Sequence, residues 1–337
     1  MADAARAPHA RSPVDGGLLA ISHPRATEWP TWGLAAVIHG GWIALTMGWT
    51  RLPWWLAAPA GAWLVAWHGS LQHETIHGHP SRSRRLNALL GSVPLGFWLP
   101  YGVYRETHLR HHAAPWLADP VDDPESPYVT PRVWERAGRL KRAGLRLQTT
   151  LIGRLLVGPF VVVASEWAAA ARRLSCSDRD HVRHWFWHAL GIAGLLLWLR
   201  ACHVPLGAYL AGSVYPGIAL TLLRSFAEHR MAAAPGHRTA IVEAEAPFAI
   251  LFLNNNLHAV HHDHPEVPWY LLPRLYRTAR ETYLEQNGGW HSRGYASIMV
   301  AHGLRRARDC VAIAQPESVA GQSIGPDVVA HERLDCR

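Results

Sequence analysis

The chain has 337 residues, 49% of them hydrophobic, and a formal net charge of +8. A positive balance of this size would suit a nucleic-acid-binding protein, but basic loops between apolar segments are explained by the positive-inside bias and by anionic headgroups. We therefore exclude nucleic acid from the predicted partners and use the apolar segments to define the organisation.

Four apolar segments predict two transmembrane helical hairpins. Residues 32–49 and 54–71 form the first pair, and residues 185–199 and 205–223 form the second. A helix of about 18 residues, rising about 1.5 Å per residue, crosses most of a hydrocarbon core of about 30 Å. One such segment could be a buried core helix, but two matched pairs favour spans. The predicted fold is an all-α integral membrane protein with four spans.

Two further segments are apolar but interrupted. Residues 86–101 contain Gly91, Pro94, Gly96 and Pro100, and residues 151–171 contain Arg154, Pro159 and Glu166. A single extra crossing would place the later histidines on the opposite side of the membrane from the earlier ones. We therefore predict re-entrant or interfacial helices at both places.

Basic residues near the span ends set the predicted orientation. Arginines precede the first span and follow the second, whereas the hairpin tips carry only Arg51 and Arg200. By the positive-inside rule, both termini face the cytoplasm, and the protein is a multi-pass protein of the inner membrane. The predicted domains are a cytoplasmic segment (1–31), a membrane domain with a cytoplasmic His-rich cap (32–278) and a cytoplasmic tail (279–337).

Three histidine clusters follow in chain order. They comprise eight residues: His73 and His77; His108, His111 and His112; His258, His261 and His262. On a helix, positions i, i+3 and i+4 share one face, so each cluster can direct two or three imidazoles to one place. Imidazole suits zinc, copper, iron and nickel, and a zinc site is complete with about four ligands. Eight candidates therefore predict two metal ions, and iron is the metal favoured for difficult oxidations.

The spacings HxxxH, HxxHH and HxxHH, in this order between long apolar segments, resemble the membrane fatty-acid desaturase superfamily. That superfamily also contains hydroxylases and carotenoid ketolases, and the resemblance covers about residues 32–273. It implies two non-haem iron ions, O2 as co-substrate and oxidation of an unactivated C–H bond in a lipid. Fatty-acyl desaturation is the predicted reaction; ketolation and hydroxylation of a lipid or alkane are the alternatives within the superfamily.

The resemblance also implies a ninth ligand. An additional histidine after the last span completes the metal set in the family, and His229 occupies that place. An asparagine near the third cluster reaches a metal through water in some members, which makes Asn254, at i−4 from His258, a candidate. His79 and His264 each precede a proline and are predicted to be turn residues.

Carboxylates close to the clusters in sequence are candidates to orient the histidines. They are Glu74, Glu106, Asp122, Asp123, Glu228 and Asp263.

Electrons for such an oxidation must come from a partner. The sequence has no GxGxxG, CxxC or HPGG motif, so we predict an external donor resembling a ferredoxin or rubredoxin. The basic stretch 132–146 could bind that donor, although lipid headgroups are the simpler partner.

Two interpretations from other classes stay open. Residues 73–77 read HETIH, the HExxH signature of zinc proteases, in which Glu74 would be the general base of an intramembrane metalloprotease. A histidine-rich metal transporter is the third class, although the predicted spans have few ionisable residues.

Overall fold

The computed structural model describes residues 27–313, so most of the predicted N-terminal segment and the end of the predicted tail lie outside the described residues. The described part is mostly helical. The helices are α1 (Trp29–Met47), α2 (Trp54–Ile76), α3 (Arg84–Gly91), α4 (Tyr101–Ala113), α5 (Pro131–Arg136), α6 (Arg139–Leu147), α7 (Leu151–Ser175), α8 (Arg179–Ala201), α9 (Leu206–Glu228), α10 (Phe248–Leu251), α11 (His258–Asp263), α12 (Leu272–Thr278), α13 (Arg280–Gln286) and α14 (Tyr295–His302). Two short parallel strands, β1 (Ile241–Val242) and β2 (His291–Ser292), pair with each other.

Helix boundaries follow local sequence signals. Ser83, Thr150 and Asp178 are N-caps whose side chains accept hydrogen bonds from the backbone of α3, α7 and α8. Proline precedes α2 and α4, where the missing N–H costs nothing because first-turn N–H groups have no intrahelical partner.

Helix α2 occupies the centre of the helical part. It packs against α1 and α9, and α9 in turn packs along α7. The main core cluster combines Ile38 and Trp42 of α1 with residues of α2, α8 and α9. The Trp42 indole donates to the Tyr209 hydroxyl at 3.0 Å, which itself donates to the Leu95 carbonyl at 2.9 Å. This chain of hydrogen bonds satisfies polar groups that would otherwise be buried without partners.

Within residues 27–313, two helices are long and apolar enough to cross a membrane, α7 and α9. Helix α9 contains the fourth predicted span. The other three predicted spans are helical, in α1, α2 and α8, but the membrane crossing of those helices stays a prediction.

The interrupted segments were predicted to be re-entrant or interfacial helices. Residues 151–171 belong to one unbroken helix of 25 residues that contains Pro159, so they do not form a re-entrant segment, and an interfacial position of this helix stays a prediction. Proline is tolerated in apolar helices when neighbouring groups satisfy the freed carbonyl. Only the beginning of residues 86–101 is helical, in α3.

A π-helical turn at Leu210–Val214 interrupts α9 where it meets α2. Ser213 in this turn is fully buried, and a Cβ atom added at Gly61 would lie 2.8 Å from the Ser213 Cβ. Rotating the serine side chain does not move its Cβ, so the backbone of one helix would have to shift. Glycine at position 61 therefore sets the approach of α2 and α9.

We predict that Gly61→Ala destabilises the protein by about 1–3 kcal/mol, because the added methyl group overpacks this contact. Gly69→Ala is the matched control on the same helix, since its Cβ would meet only the Thr221 hydroxyl at an ordinary 3.7 Å. The measurement is thermal unfolding of both variants in detergent. Equal melting temperatures for the two variants would contradict the packing argument.

Candidate metal centre

The three histidine clusters lie at helix ends that meet on one side of the helical core. His73 is in the last turn of α2, and His77 is its C-cap. The second cluster forms the last turns of α4, and the third occupies α11. His229 follows α9 directly, where the chain becomes extended and bridges to Thr239. Four separate elements therefore deliver these side chains.

The structure brings all nine predicted histidines together, in two groups. Within each group, the ligand atoms lie within 4.8 Å of one another. Group 1 consists of His73, His77, His108, His112 and His261; group 2 consists of His111, His229, His258 and His262. That these residues hold metal ions remains a proposal, because the grouping is geometric.

Each HxxHH cluster contributes to both groups. In the second cluster, His108 and His112 belong to group 1 and His111 belongs to group 2. In the third cluster the assignment is reversed: His258 and His262 belong to group 2, and His261 belongs to group 1. Residues one position apart on a helix point about 100° apart, since a turn takes about 3.6 residues. Two adjacent histidines can therefore serve two neighbouring sites.

Nitrogen–nitrogen distances test whether a metal ion fits. The Nε2 atoms of His77 and His108 lie 3.0 Å apart, and those of His112 and His261 lie 3.2 Å apart. In group 2, the Nε2 of His258 lies 2.8 Å from that of His229 and 3.1 Å from that of His262.

These distances match those between ligands of one ion. With metal–nitrogen bonds of about 2.0–2.1 Å, two ligands at a right angle are about 2.9 Å apart, and two at a tetrahedral angle about 3.3 Å. The donor set therefore fits an ion in each group. Two of the four distances, 2.8 and 3.0 Å, are closer to the right-angled value, whereas 3.1 Å is midway and 3.2 Å is closer to the tetrahedral value.

Acidic residues of the loop after α4 fix two of the imidazoles. His111 Nδ1 donates to Asp123 Oδ1 at 2.8 Å, and His108 Nδ1 donates to Glu125 at 3.1 Å. Asp123 is itself held by the backbone N–H groups of Ala118 and Glu125. Because Nδ1 carries the proton, Nε2 of each ring presents its lone pair to a metal.

Group 2 has comparable support. His229 Nδ1 donates to the Arg238 carbonyl at 3.3 Å. His258 Nδ1 lies 3.1 Å from Asn255 Oδ1 and 3.4 Å from Glu228, which forms an ion pair with Arg224 at 2.9 Å. These contacts orient both rings with Nε2 towards the other histidines of the group.

The protonation of the histidines suits metal binding. Burial is the main factor that lowers the pKa of eight of them, and for the most part repulsion between neighbouring imidazoles lowers it further. Burial acts in the same direction on His111, but Glu125 and Asp123 outweigh it and raise its pKa. Neutral imidazole is the form that binds metal.

Other candidates from the sequence lie outside both groups. His79 donates to Glu28 at 2.8 Å, and Glu106 pairs with Arg173. Glu74 accepts a hydrogen bond from the backbone N–H of Trp269 at 2.9 Å, and burial raises its pKa to about 7. His264 belongs to neither group.

Among the asparagines before the third cluster, Asn255 is the one that contacts histidines of the two groups. Asn254 donates to the Trp269 carbonyl, whereas Asn255 lies between His258 and His73, 3.3 Å from the latter's Nε2. Helix α10 ends at Leu251, and Leu253 and Asn254 have positive φ angles of 49° and 55°. Helical spacing therefore does not extend from residue 254 to the third cluster.

Sequence reasoning also missed Glu125 and Tyr104. Glu125 lies two residues beyond the predicted Asp123, and the Tyr104 ring lies 5.6 Å from the His108 ring. Tyr104 is one helical turn before His108, so the i, i+4 rule could have identified it.

Comparison with known proteins adds one match. The model of a family described as "Fatty acid desaturase" matches residues 49–294, which is well over half of the chain and includes all nine histidines. No curated protein matches the chain significantly.

We predict that Asp123→Asn lowers metal affinity by about 10–100-fold, because the imidazole of His111 loses its charged orienting partner. Asp122→Asn is the control, since Asp122 is in the same turn but exposed. The measurement is metal content of the purified variants across a range of metal concentrations. The same occupancy in both variants at limiting metal would be inconsistent with this role.

Proposed function

The chain belongs to the fatty acid desaturase family, and on that premise we propose that it oxidises an unactivated C–H bond of a membrane lipid at two non-haem iron ions, with O2 as co-substrate. We favour desaturation of a fatty-acyl chain. Ketolation of a carotenoid and hydroxylation of a lipid or alkane are the alternatives in the same superfamily.

The observation that carries this proposal is the division of nine histidines into groups of five and four. Group 1 exceeds the four ligands of an ordinary zinc site. Among the metals that imidazole suits, iron and copper activate O2, and membership of a typically iron-dependent family favours iron. When bound, the two ions would supply the oxidising power that no side chain has.

The chain's own residues would bind the metal ions, orient the imidazole rings and shield them from water. His73, His108, His111, His258 and His261 are between 1% and 3% exposed, so bulk water has little access to their rings. Asp123, Glu125, Asn255 and the Arg238 carbonyl fix ring orientation. We propose all nine histidines as the metal ligands, with no further catalytic group.

The remaining partners are proposals that follow from the reaction. Oxidation with O2 needs electrons, for which we propose a ferredoxin- or rubredoxin-like donor. The family is membrane-associated, and α9 could cross a bilayer. We propose that α7, although it is apolar enough to span, lies at the membrane interface, because a single extra crossing would separate the histidines. We propose a multi-pass protein of the inner membrane with the histidines and both termini on the cytoplasmic side.

The contacts of Glu74 argue against a zinc protease. A general base must reach the metal-bound water, but the Glu74 carboxylate accepts from the Trp269 amide and belongs to neither histidine group. A protease would also leave most of the other histidines without a role. A metal transporter would need ionisable groups along a membrane pathway, whereas these histidines are gathered at helix ends.

The first test combines metal content with lipid analysis. We expect about two irons per chain, and new double bonds in the lipids of an expressing host, because the histidines form two groups. His261→Ala in group 1 and His111→Ala in group 2 should each lose activity and bind less iron. His291→Ala, an exposed histidine outside both groups, should resemble the original protein. Activity that survives both group variants would refute the site.

Glu74→Gln separates the two enzyme classes. Glutamine keeps an oxygen that can accept from the Trp269 amide, so an oxidase should retain much of its activity, whereas a protease without its general base should lose nearly all of it. The measurement pairs lipid oxidation with iron content for this variant. Loss of all oxidation with iron fully bound would require a role for Glu74 in the reaction.

A further inference from the structure

Two arginines away from the metal centre are partly buried and have no acidic partner. Arg154, in the first turn of α7, donates to Gln148 at 2.9 Å and lies 3.5 Å from the Ser225 hydroxyl. Its Nε atom is shielded from solvent and has no hydrogen-bond acceptor. The guanidinium is therefore only partly satisfied.

Arg308 approaches the same place from the C-terminal end of the described chain. It donates to the Phe226 carbonyl at 3.0 Å, and its guanidinium lies over the rings of Phe226, at 5.1 Å, and Tyr128, at 5.9 Å. Ser225 and Phe226 are neighbours on α9, so the two arginines converge on one turn of that helix. The positive charge of Arg308 also repels the positive charge of Arg154.

Two like charges in one shielded place are unfavourable unless an anion lies between them. Buried charges in proteins are ordinarily paired, and an unpaired one costs several kcal/mol. Among the ion pairs of residues 27–313, none includes Arg154 or Arg308, and the nearby Asp309 pairs with Arg306. Burial lowers the pKa of Arg308, as expected for a cation that lacks compensation.

We propose that Arg154 and Arg308 form a binding site for a phosphate group. Guanidinium groups donate in a planar fork that matches phosphate oxygens. The Ser225 hydroxyl donates to the Leu222 carbonyl at 3.3 Å and accepts from Arg154, so it positions that guanidinium. The phosphate belongs either to a lipid headgroup or to a soluble phosphate compound.

The surroundings favour the lipid headgroup. The site lies at the start of α7, a helix that could cross a membrane. Helix α6 comes just before it, with Leu140 90% exposed beside the exposed Arg139 and Lys141. Exposed leucine flanked by basic residues is typical of a helix that lies on an anionic lipid surface.

The test measures how phosphate changes thermal stability in the full chain. Two probes distinguish the sources: inorganic phosphate added in detergent, and lipid nanodiscs of phosphatidylglycerol compared with phosphatidylcholine. Sodium chloride at equal ionic strength is the control for screening. Because a ligand that binds only the folded state raises its stability, the correct probe should raise the melting temperature.

Arg154→Gln and Arg308→Gln should each require about tenfold more probe for the same rise in melting temperature, since a charged hydrogen bond is lost. Without any phosphate, both variants should be as stable as the original protein or more stable, because an uncompensated charge is gone. Arg200→Gln, which removes an exposed arginine near the other end of α9, should respond like the original protein.

Each outcome decides the proposal. A response to phosphatidylglycerol alone identifies a lipid headgroup, and a response to inorganic phosphate identifies a soluble compound. Absence of both responses overturns the site. A response in Arg154→Gln and Arg308→Gln that equals the response of the original protein also overturns it. Should either glutamine variant fail to fold, Arg154→Lys and Arg308→Lys retain the charge, and an undiminished response in both would overturn it.

Discussion

Imidazole nitrogens held 2.8–3.2 Å apart in a shielded place repel one another unless a cation lies between them, and the surrounding structure is organised around that constraint. A neutral imidazole has one N–H, and His229 and His258 each use it at Nδ1, so their Nε2 atoms, 2.8 Å apart, face each other with lone pairs. The carboxylates of Asp123 and Glu125 supply negative charge at the rear of two rings, which adds to the attraction for a metal. The folded arrangement is therefore most favourable with both groups filled.

The helices hold this arrangement from several directions. Helix α2 carries His73 and is pinned to α9 through Gly61 and Ser213, while α9 places His229 just beyond its end. Trp269 adds a third connection, because its amide donates to Glu74 and its indole donates to Thr31. Glu74 thus serves as a structural acceptor, although its motif is also that of a protease base.

Local spacing explains what could be predicted from the sequence. All nine histidines were found because helical periodicity, together with the resemblance to a known family, needs no knowledge of distant contacts. The division between the two groups could not be predicted, since it depends on how α4 and α11 face each other. Asn255 was missed because left-handed residues at 253 and 254 break the helical phase. For residues 151–171, the re-entrant alternative fails because Pro159 does not end α7, whereas the interfacial alternative stays a prediction.

The distance along the chain between the histidines determines the order of assembly during synthesis. Asn255 contacts His73 across 182 positions of sequence, and both groups include residues of the third cluster. Group 1 cannot be complete until the ribosome has made His261, and group 2 not until it has made His262. By that time, α1, α2 and α4 have long been synthesised. Contacts of such long range form slowly, so the first histidines remain without their final neighbours until the last ones have been synthesised. Under the proposed function, capture of metal is therefore a late event in the biogenesis of this protein.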